Sequence, residues 1–305
     1  MQAQFPAEQS KQGEFKRQED AFRGWVRHDA STPYQPERDR YHLYVSLACP
    51  WAHRTIIMRK LKGLQDVIGM TVVDPVRDER GWAFTDEPDP MNDFKFLSEA
   101  YHATDPKYDG RVTVPVLWDK QTKRIVSNSD DDIMRMFNSD FTEFATNDYN
   151  FIPPDLENEI DELNEVIYQR VNNGVYRAGF ATKQQPYERA ARTLFETLDE
   201  LDARLAKQRY LLGAQMTETD WRLFPTLIRF DAVYFGHFKC NLRRIVDYKN
   251  LWPYLRDLYQ HDGVRETVNF DHIKRHYYMT HDEINPTRIV PIGPALDLDE
   301  PHRRG

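Results

Sequence analysis

Cysteine is nearly absent from this chain: two in 305 residues, Cys49 and Cys240. Two distant thiols do not make a disulfide framework, and they fit a reducing, cytoplasmic setting. Neither belongs to a C-x-x-C pair. The position three after Cys49 is Ala52, so no resolving thiol stands beside it. No apolar run approaches the ~20 residues of a membrane span. No charged segment followed by an apolar core opens the chain, so neither a membrane anchor nor a signal peptide is expected. Basic blocks are missing and the net charge is −8, which argues against nucleic acid as a partner. A glycine-rich phosphate loop and a dinucleotide fingerprint are also missing. Histidines and carboxylates do not gather at metal-ligand spacing. The lone i, i+4 pair His272 and His276 reads as a solvated helix face, so no metal and no resident cofactor are expected. What is present is an ordinary soluble composition, 40% hydrophobic and 30% charged, at a length that supports two domains with a core each.

The most informative residues are Cys49-Pro50-Trp51-Ala52-His53-Arg54. They follow a strand-like run over 40–46 and open a helix-like run over 50–62 that stops at Gly63. A cysteine at a strand-to-helix junction has the first unbonded N–H groups of the helix, and the positive end of its dipole, beside the sulfur. Both favour thiolate. An ordinary thiol has a pKa near 8.5, and such a position can lower it to about 3.5–7.5. Pro50 suits the first helical position, where a missing N–H costs nothing. Arg54 reads equally well as a structural surface charge. A lone nucleophilic thiol needs an external thiol to release it, which implies a small-molecule thiol as cosubstrate.

Residues 1–39 read as an extension whose aromatic anchors, Phe15, Phe22 and Trp25, pack over a domain surface. The span 40–152 reads as an α/β thioredoxin-like domain. A strand, a helix and a strand at 67–74 form a β-α-β unit. A long Asp-, Pro- and Gly-rich insertion over 75–110 follows, then a strand at 112–118, a short strand at 124–126 and a helix at 130–138. In that fold the Val114–Pro115 bond is cis. Pro153-Pro154 marks the boundary, and 153–283 reads as an all-α domain. Leu194, Leu198, Leu201 and Leu205 recur at helical spacing. Thr217 and Asp220 look like a capping box with Asp in the last place. Residues 284–305 read as an ordered tail.

A thioredoxin-like domain followed by helices resembles the cytosolic glutathione transferases. The stretch from Tyr41 to Arg54 is similar to the signature of the Xi class, the glutathionyl-hydroquinone reductases. So are Gly81-Trp82, the run Arg111 to Asp119, Asn173 to Phe180, His237 to Asn241, and His276-Tyr277-Tyr278. The resemblance implies that Cys49 attacks the sulfur of a thioether-linked glutathione, releases the hydroquinone, and is freed from its mixed disulfide by a second glutathione. It implies that Trp82, Arg111 and Val114 hold the thiol cosubstrate, that Tyr176 and Tyr277 serve the quinol with ring and hydroxyl, and that the protein is a homodimer.

The chain departs from the family where the γ-glutamyl group is received. The family has Asn-Glu-Ser before the receiving helix. Here Ser129 stands for the Glu and Asp130 for the Ser, ahead of Asp131 and Asp132. Ser129 reads as an N-cap with Asp132 as its box partner. A bare Asp130 carboxylate repels a ligand carboxylate, so the three acids direct the expectation toward a thiol rich in hydroxyls, such as mycothiol, in place of glutathione. Two other readings stand beside the reductase. One is a thiol transferase or dehydroascorbate reductase resembling the omega class. The other is a non-catalytic binding protein that kept the fold.

Overall fold

The computed structural model describes residues 8–86 and 88–304. The chain divides into two compact units. One takes in Glu19–Asn150 and Glu266–His276. The other takes in the described residues up to Gln18, Phe151–Arg265 and those from Tyr277 onward.

The first unit is thioredoxin-like. It contains β1 (Tyr41–Val45), α1 (Pro50–Leu61), β2 (Gly69–Val72), α2 (Ser98–Thr104), β3 (Val116–Asp119), β4 (Arg124–Ser127) and α3 (Asp130–Ser139). The sheet order is β2-β1-β3-β4. β1 pairs parallel with β2 and antiparallel with β3, and β3 pairs antiparallel with β4. Every residue of β1 is buried. A strand covered on both faces carries a continuous run of large side chains in place of alternation. β3 starts later than the run Val112 to Trp118 suggested. Pro115 has no N–H to give the ladder, so pairing begins at Val116. The Val114–Pro115 bond is cis. The insertion holds α2, which its composition did not announce.

The part of the extension in this unit lies along β4. Arg23 bridges Ser127 antiparallel, and Gly24 N–H donates to the Val126 carbonyl at 2.8 Å. A Cβ on Gly24 would sit 2.6 Å from that oxygen, so the close approach requires glycine. An edge strand that would otherwise offer unpaired backbone groups is thereby covered. Trp25 anchors the same segment, with Nε1 donating to Asp140 at 2.9 Å.

The second unit is helical: α4 (Glu157–Ile167), a π turn over Tyr168–Asn172, α5 (Gly174–Gly179), α6 (Gln184–Leu205), α7 (Glu218–Arg229), a π turn over Phe230–Tyr234, and α8 (Leu251–Tyr259). The last helix, α9 (Phe270–Thr280), is shared between the units, with Tyr277 onward in this one. Leu194, Leu198, Leu201 and Leu205 are all buried. α7 is buried along its whole length. A capping box closes its start: the Thr217 N–H donates to the Asp220 carboxylate at 2.8 Å. The tail runs over α8, where Gln260 Nε2 donates to the Leu298 carbonyl at 2.7 Å and Leu298 is buried. No helix among the described residues is long and apolar enough to cross a membrane.

Candidate active site

Cys49 is the N-cap of α1, in extended conformation, with Pro50 at the first helical position. Its backbone N–H donates to the Ser46 carbonyl at 3.1 Å and its own carbonyl accepts from His53 N–H at 3.0 Å. The side chain makes no capping bond. Sγ instead lies 3.5 Å from the Val114 carbonyl oxygen, to which it donates as a thiol. The first turn of α1 holds no acidic residue to oppose a thiolate. Cys49 is half-buried, whereas Cys240 is fully buried. Burial pushes the Cys240 thiol far up, only partly offset by Lys239. A thiol held in that state is no nucleophile.

At the start of α3, Ser129 is the N-cap and its hydroxyl accepts from the Asp132 N–H at 3.3 Å. The Ser129 N–H donates to Ser127 Oγ at 3.1 Å. Asp132 does not complete a box. Its carboxylate takes both arms of the Arg23 guanidinium, at 2.7 and 2.6 Å, because a bidentate charged pair outweighs one neutral backbone donor. Arg54 is not a surface charge. Its side chain is 1% exposed, and Nη1 donates to Asp130 at 2.8 Å and to Asp131 at 3.2 Å. The guanidinium also lies over the Trp51 ring, 4.7 Å from its centroid. All three acids are therefore paired with arginines. The expectation of bare carboxylates that select a hydroxyl-rich thiol such as mycothiol loses its physical ground.

Trp82 is buried in the insertion. Its ring stacks on His276 at 5.1 Å and 21°, with Arg77 over the ring at 5.5 Å. His276 is not on a solvated face either: it is buried, and Nδ1 donates to the Pro75 carbonyl at 2.8 Å. Arg111 sits in the loop that leads to Val114, and its carbonyl accepts from the Tyr108 hydroxyl at 2.7 Å. One amide fixes this loop. Asn128 Nδ2 donates to Thr113 Oγ1 at 3.0 Å while Asn128 Oδ1 accepts from Phe22 N–H at 2.8 Å. The structure thus brings Val114 to Cys49 and sets Ser129 and Asp130 at one helix start. Trp82 and Arg111 stand on separate loops of the same unit.

In the helical unit, the Tyr176 and Tyr277 hydroxyls meet at 2.5 Å, and Tyr277 also meets the Tyr234 hydroxyl at 3.0 Å. Exposure falls along the series: Tyr176 9%, Tyr277 1%, Tyr234 0%. Phe15, Phe180 and Phe238 pack around Tyr176. The Arg17 guanidinium lies 4.8 Å from the centroid of the Tyr176 ring. Burial pushes the phenols of Tyr234 and Tyr277 well above their ordinary value. Sequence reading singled out Tyr176 and Tyr277, which the structure brings together, but not Tyr234 or Arg54, which stand against the candidate residues. The signal for Arg54 was present, since three consecutive acids at one helix start call for a cation. Tyr234 carried none, since a tyrosine among apolar residues reads as core.

Residues 48–140 match the glutathione S-transferase N-terminal domain and residues 184–257 the glutathione S-transferase C-terminal domain. Glutathionyl-hydroquinone reductase YqjG of Escherichia coli K12 is 52% identical over 303 residues, covering 96% of this chain and 92% of that protein. The glutathione-bound structure of YqjG, a glutathione transferase homolog, superimposes with a TM-score of 0.91 at 53% identity, covering 93% of this chain and 96% of that one. The Xi-class glutathione transferase of Natrialba magadii gives a TM-score of 0.92 at 51% identity, covering 93% and 88%. With this similarity carried along both units, the chain belongs to the Xi-class glutathione transferases, the family of the glutathionyl-hydroquinone reductases.

Proposed function

We propose that this protein is a glutathione-dependent reductase that removes glutathione from glutathionyl-hydroquinones, with Cys49 as nucleophile. The observation that carries the reading is the contrast between the two thiols. Cys49 stands half-buried at a helix N-cap, with Sγ engaged in no capping bond, while Cys240 is sealed in the core. In the first step the Cys49 thiolate attacks the glutathionyl sulfur. The S–S bond forms, the carbon–sulfur bond breaks, and its electron pair takes a proton at the ring carbon. Cysteine and glutathione sulfur are oxidised to the mixed disulfide and the ring is reduced. In the second step glutathione attacks that disulfide, leaving glutathione disulfide and the Cys49 thiolate.

Glutathione is favoured as the thiol because Arg54 compensates Asp130 and Asp131, and because a bound glutathione is present in the YqjG structure. Trp82, Arg111, Val114, Ser129 and Asp130 are the residues we assign to holding it. Tyr176 and Tyr277 are assigned to the quinol. A homodimer in the cytoplasm completes the proposal.

The test is a single turnover without free glutathione. Wild-type protein given a glutathionyl-hydroquinone should release one hydroquinone per chain and gain one glutathionyl group by intact mass. Cys49→Ser should do neither, and Cys240→Ser should match wild type. Turnover surviving in Cys49→Ser, or no release by wild type, overturns the reading.

A further inference from the structure

A cavity of about 310 Å³ opens in the helical unit, and none of the thiols or tyrosines described above lines it. Four segments converge on it. The extension brings Glu14 and Lys16, the first π turn brings Arg170, α5 brings Arg177 and α6 brings Arg189. Four cations against one acid leave three net positive charges in one hollow, on a chain whose own net charge is −8. A concave site lined by one sign of charge concentrates its field on whatever enters.

The pairing within the cavity leaves most of that charge uncancelled. Glu14 is taken by Arg189. Arg177 is held by a neutral partner: it donates to the Gln169 side-chain oxygen and, at 3.3 Å, to the Gln169 carbonyl. Its place is thereby fixed while its charge stays. Lys16 and Arg170 form no ion pair among the described residues. Arg170 sits in a π turn, a helix irregularity that recurs at functional sites. The wall that carries Glu14 and Lys16 is pinned by its backbone. Gln9 bridges Phe15 antiparallel, the Lys16 N–H donates to the Glu8 carbonyl at 2.7 Å, and the Thr182 N–H donates to the Gly13 carbonyl at 3.2 Å. Phe15, buried beside Phe180 at 5.4 Å between ring centroids, closes that side.

We infer that this cavity binds a small, multiply charged oxyanion, one that carries two or three phosphate or carboxylate groups. Lysine and arginine side chains only donate, so the ligand they take is rich in acceptors. The arginine fork matches the paired oxygens of a phosphate or a carboxylate. A single such group would neither balance three net charges nor fill a volume that holds about ten waters. Amines are repelled, and a neutral ligand gains nothing from the cations. The inference stands apart from the reductase reading, because no residue of the cavity is among those assigned to glutathione or to the quinol.

The experiment titrates inorganic pyrophosphate into the full chain by calorimetry at low ionic strength, with citrate as the carboxylate arm and acetate as the single-charge control. Pyrophosphate, citrate or both should bind with Kd below about 1 mM and weaken as salt rises, while acetate binds at least about tenfold more weakly. Whichever of the two binds tighter decides between phosphate and carboxylate ligands, and that probe is carried to the variants. Lys16→Ala/Arg170→Ala should weaken it by at least about tenfold. Lys249→Ala/Arg303→Ala removes the same charge from residues outside the cavity and should change it by less than about twofold. Glu14→Gln releases Arg189 and should tighten binding by about 3- to 10-fold, a gain that a misfolded variant would not give. No saturable binding of either multivalent probe, equal losses in the two double variants, or binding by Glu14→Gln no tighter than wild type overturns the inference.

Discussion

Removing the charge of Arg54 should weaken both the fold and the use of glutathione. Arg54→Met keeps the length and the apolar stem, and leaves Asp130 and Asp131 without their cation. Breaking a buried ion pair by deleting one partner costs about 3–5 kcal/mol. The two carboxylates are 15% and 38% exposed, so water recovers part of the loss. The lower figure, about 3 kcal/mol, is therefore expected. With an unfolding entropy of about 2.1 cal/mol/K per residue over 305 residues, that lowers Tm by roughly 5 °C. The functional effect follows from the same charges. An uncompensated carboxylate about 5 Å from a ligand carboxylate repels it by roughly 0.8 kcal/mol in water and about 3 kcal/mol in a protein-surface dielectric. KM for glutathione should rise by about 4-fold to 150-fold. Thermal melts and glutathione titrations of Arg54→Met and of Arg54→Met/Asp130→Asn measure both. The second substitution should restore part of each loss. A wild-type Tm together with a wild-type KM in Arg54→Met would refute the reasoning.

Gly179→Ala should disturb the tyrosine cluster, because the new Cβ would lie 2.2 Å from the Phe238 ring that packs edge-on against Tyr176. A loss of about 1–3 kcal/mol is expected in urea melts. Gly174→Ala, with its nearest neighbours at 3.9 Å, should cost little; equal stabilities would dismiss the packing argument. Stability should also fall in mild acid. Burial pulls His42 and His237 down to about 4 from an ordinary 6.5, so the folded state holds both neutral while the unfolded chain takes up protons. Their contribution is complete above about pH 6.5 and is lost as pH falls toward 4, by at most about 3 kcal/mol each. Urea-derived stabilities that stay flat between those limits would count against the burial argument.

The β-α-β opening was legible because the signals agree with one another. A run of aromatic and β-branched residues meets a Cys-Pro junction, and a helix follows that is buried on nearly every side. Observed ends differ from the expected ones by at most one residue for β1 and α1. α2 was illegible for a local reason. It is seven residues long, Leu97 offers no capping side chain, and only Ala100 and Tyr101 are buried. The two π turns were hidden as well, since a 3.6-residue period assumes a constant register. Tyr234 closes one of these turns, so periodicity gave no reliable face for it.

The chemistry at the start of α3 shows where single-residue reading stops. Sequence named Asp130 and assigned it the properties of a carboxylate in water. Its effect on a ligand depends on a cation 76 positions away, on the helix that Cys49 begins. Tyr176 and Tyr277 are separated by 101 positions and share a hydrogen bond that no local pattern encodes. In both places the residue types were visible and the pairing was not. Pairing decides the outcome, because an acid held by its arginine repels an anionic ligand far less than the same acid alone. On the function proposed above, thiol selectivity belongs to Arg54 and Asp130 together, and a relative that keeps one without the other should not be expected to share it.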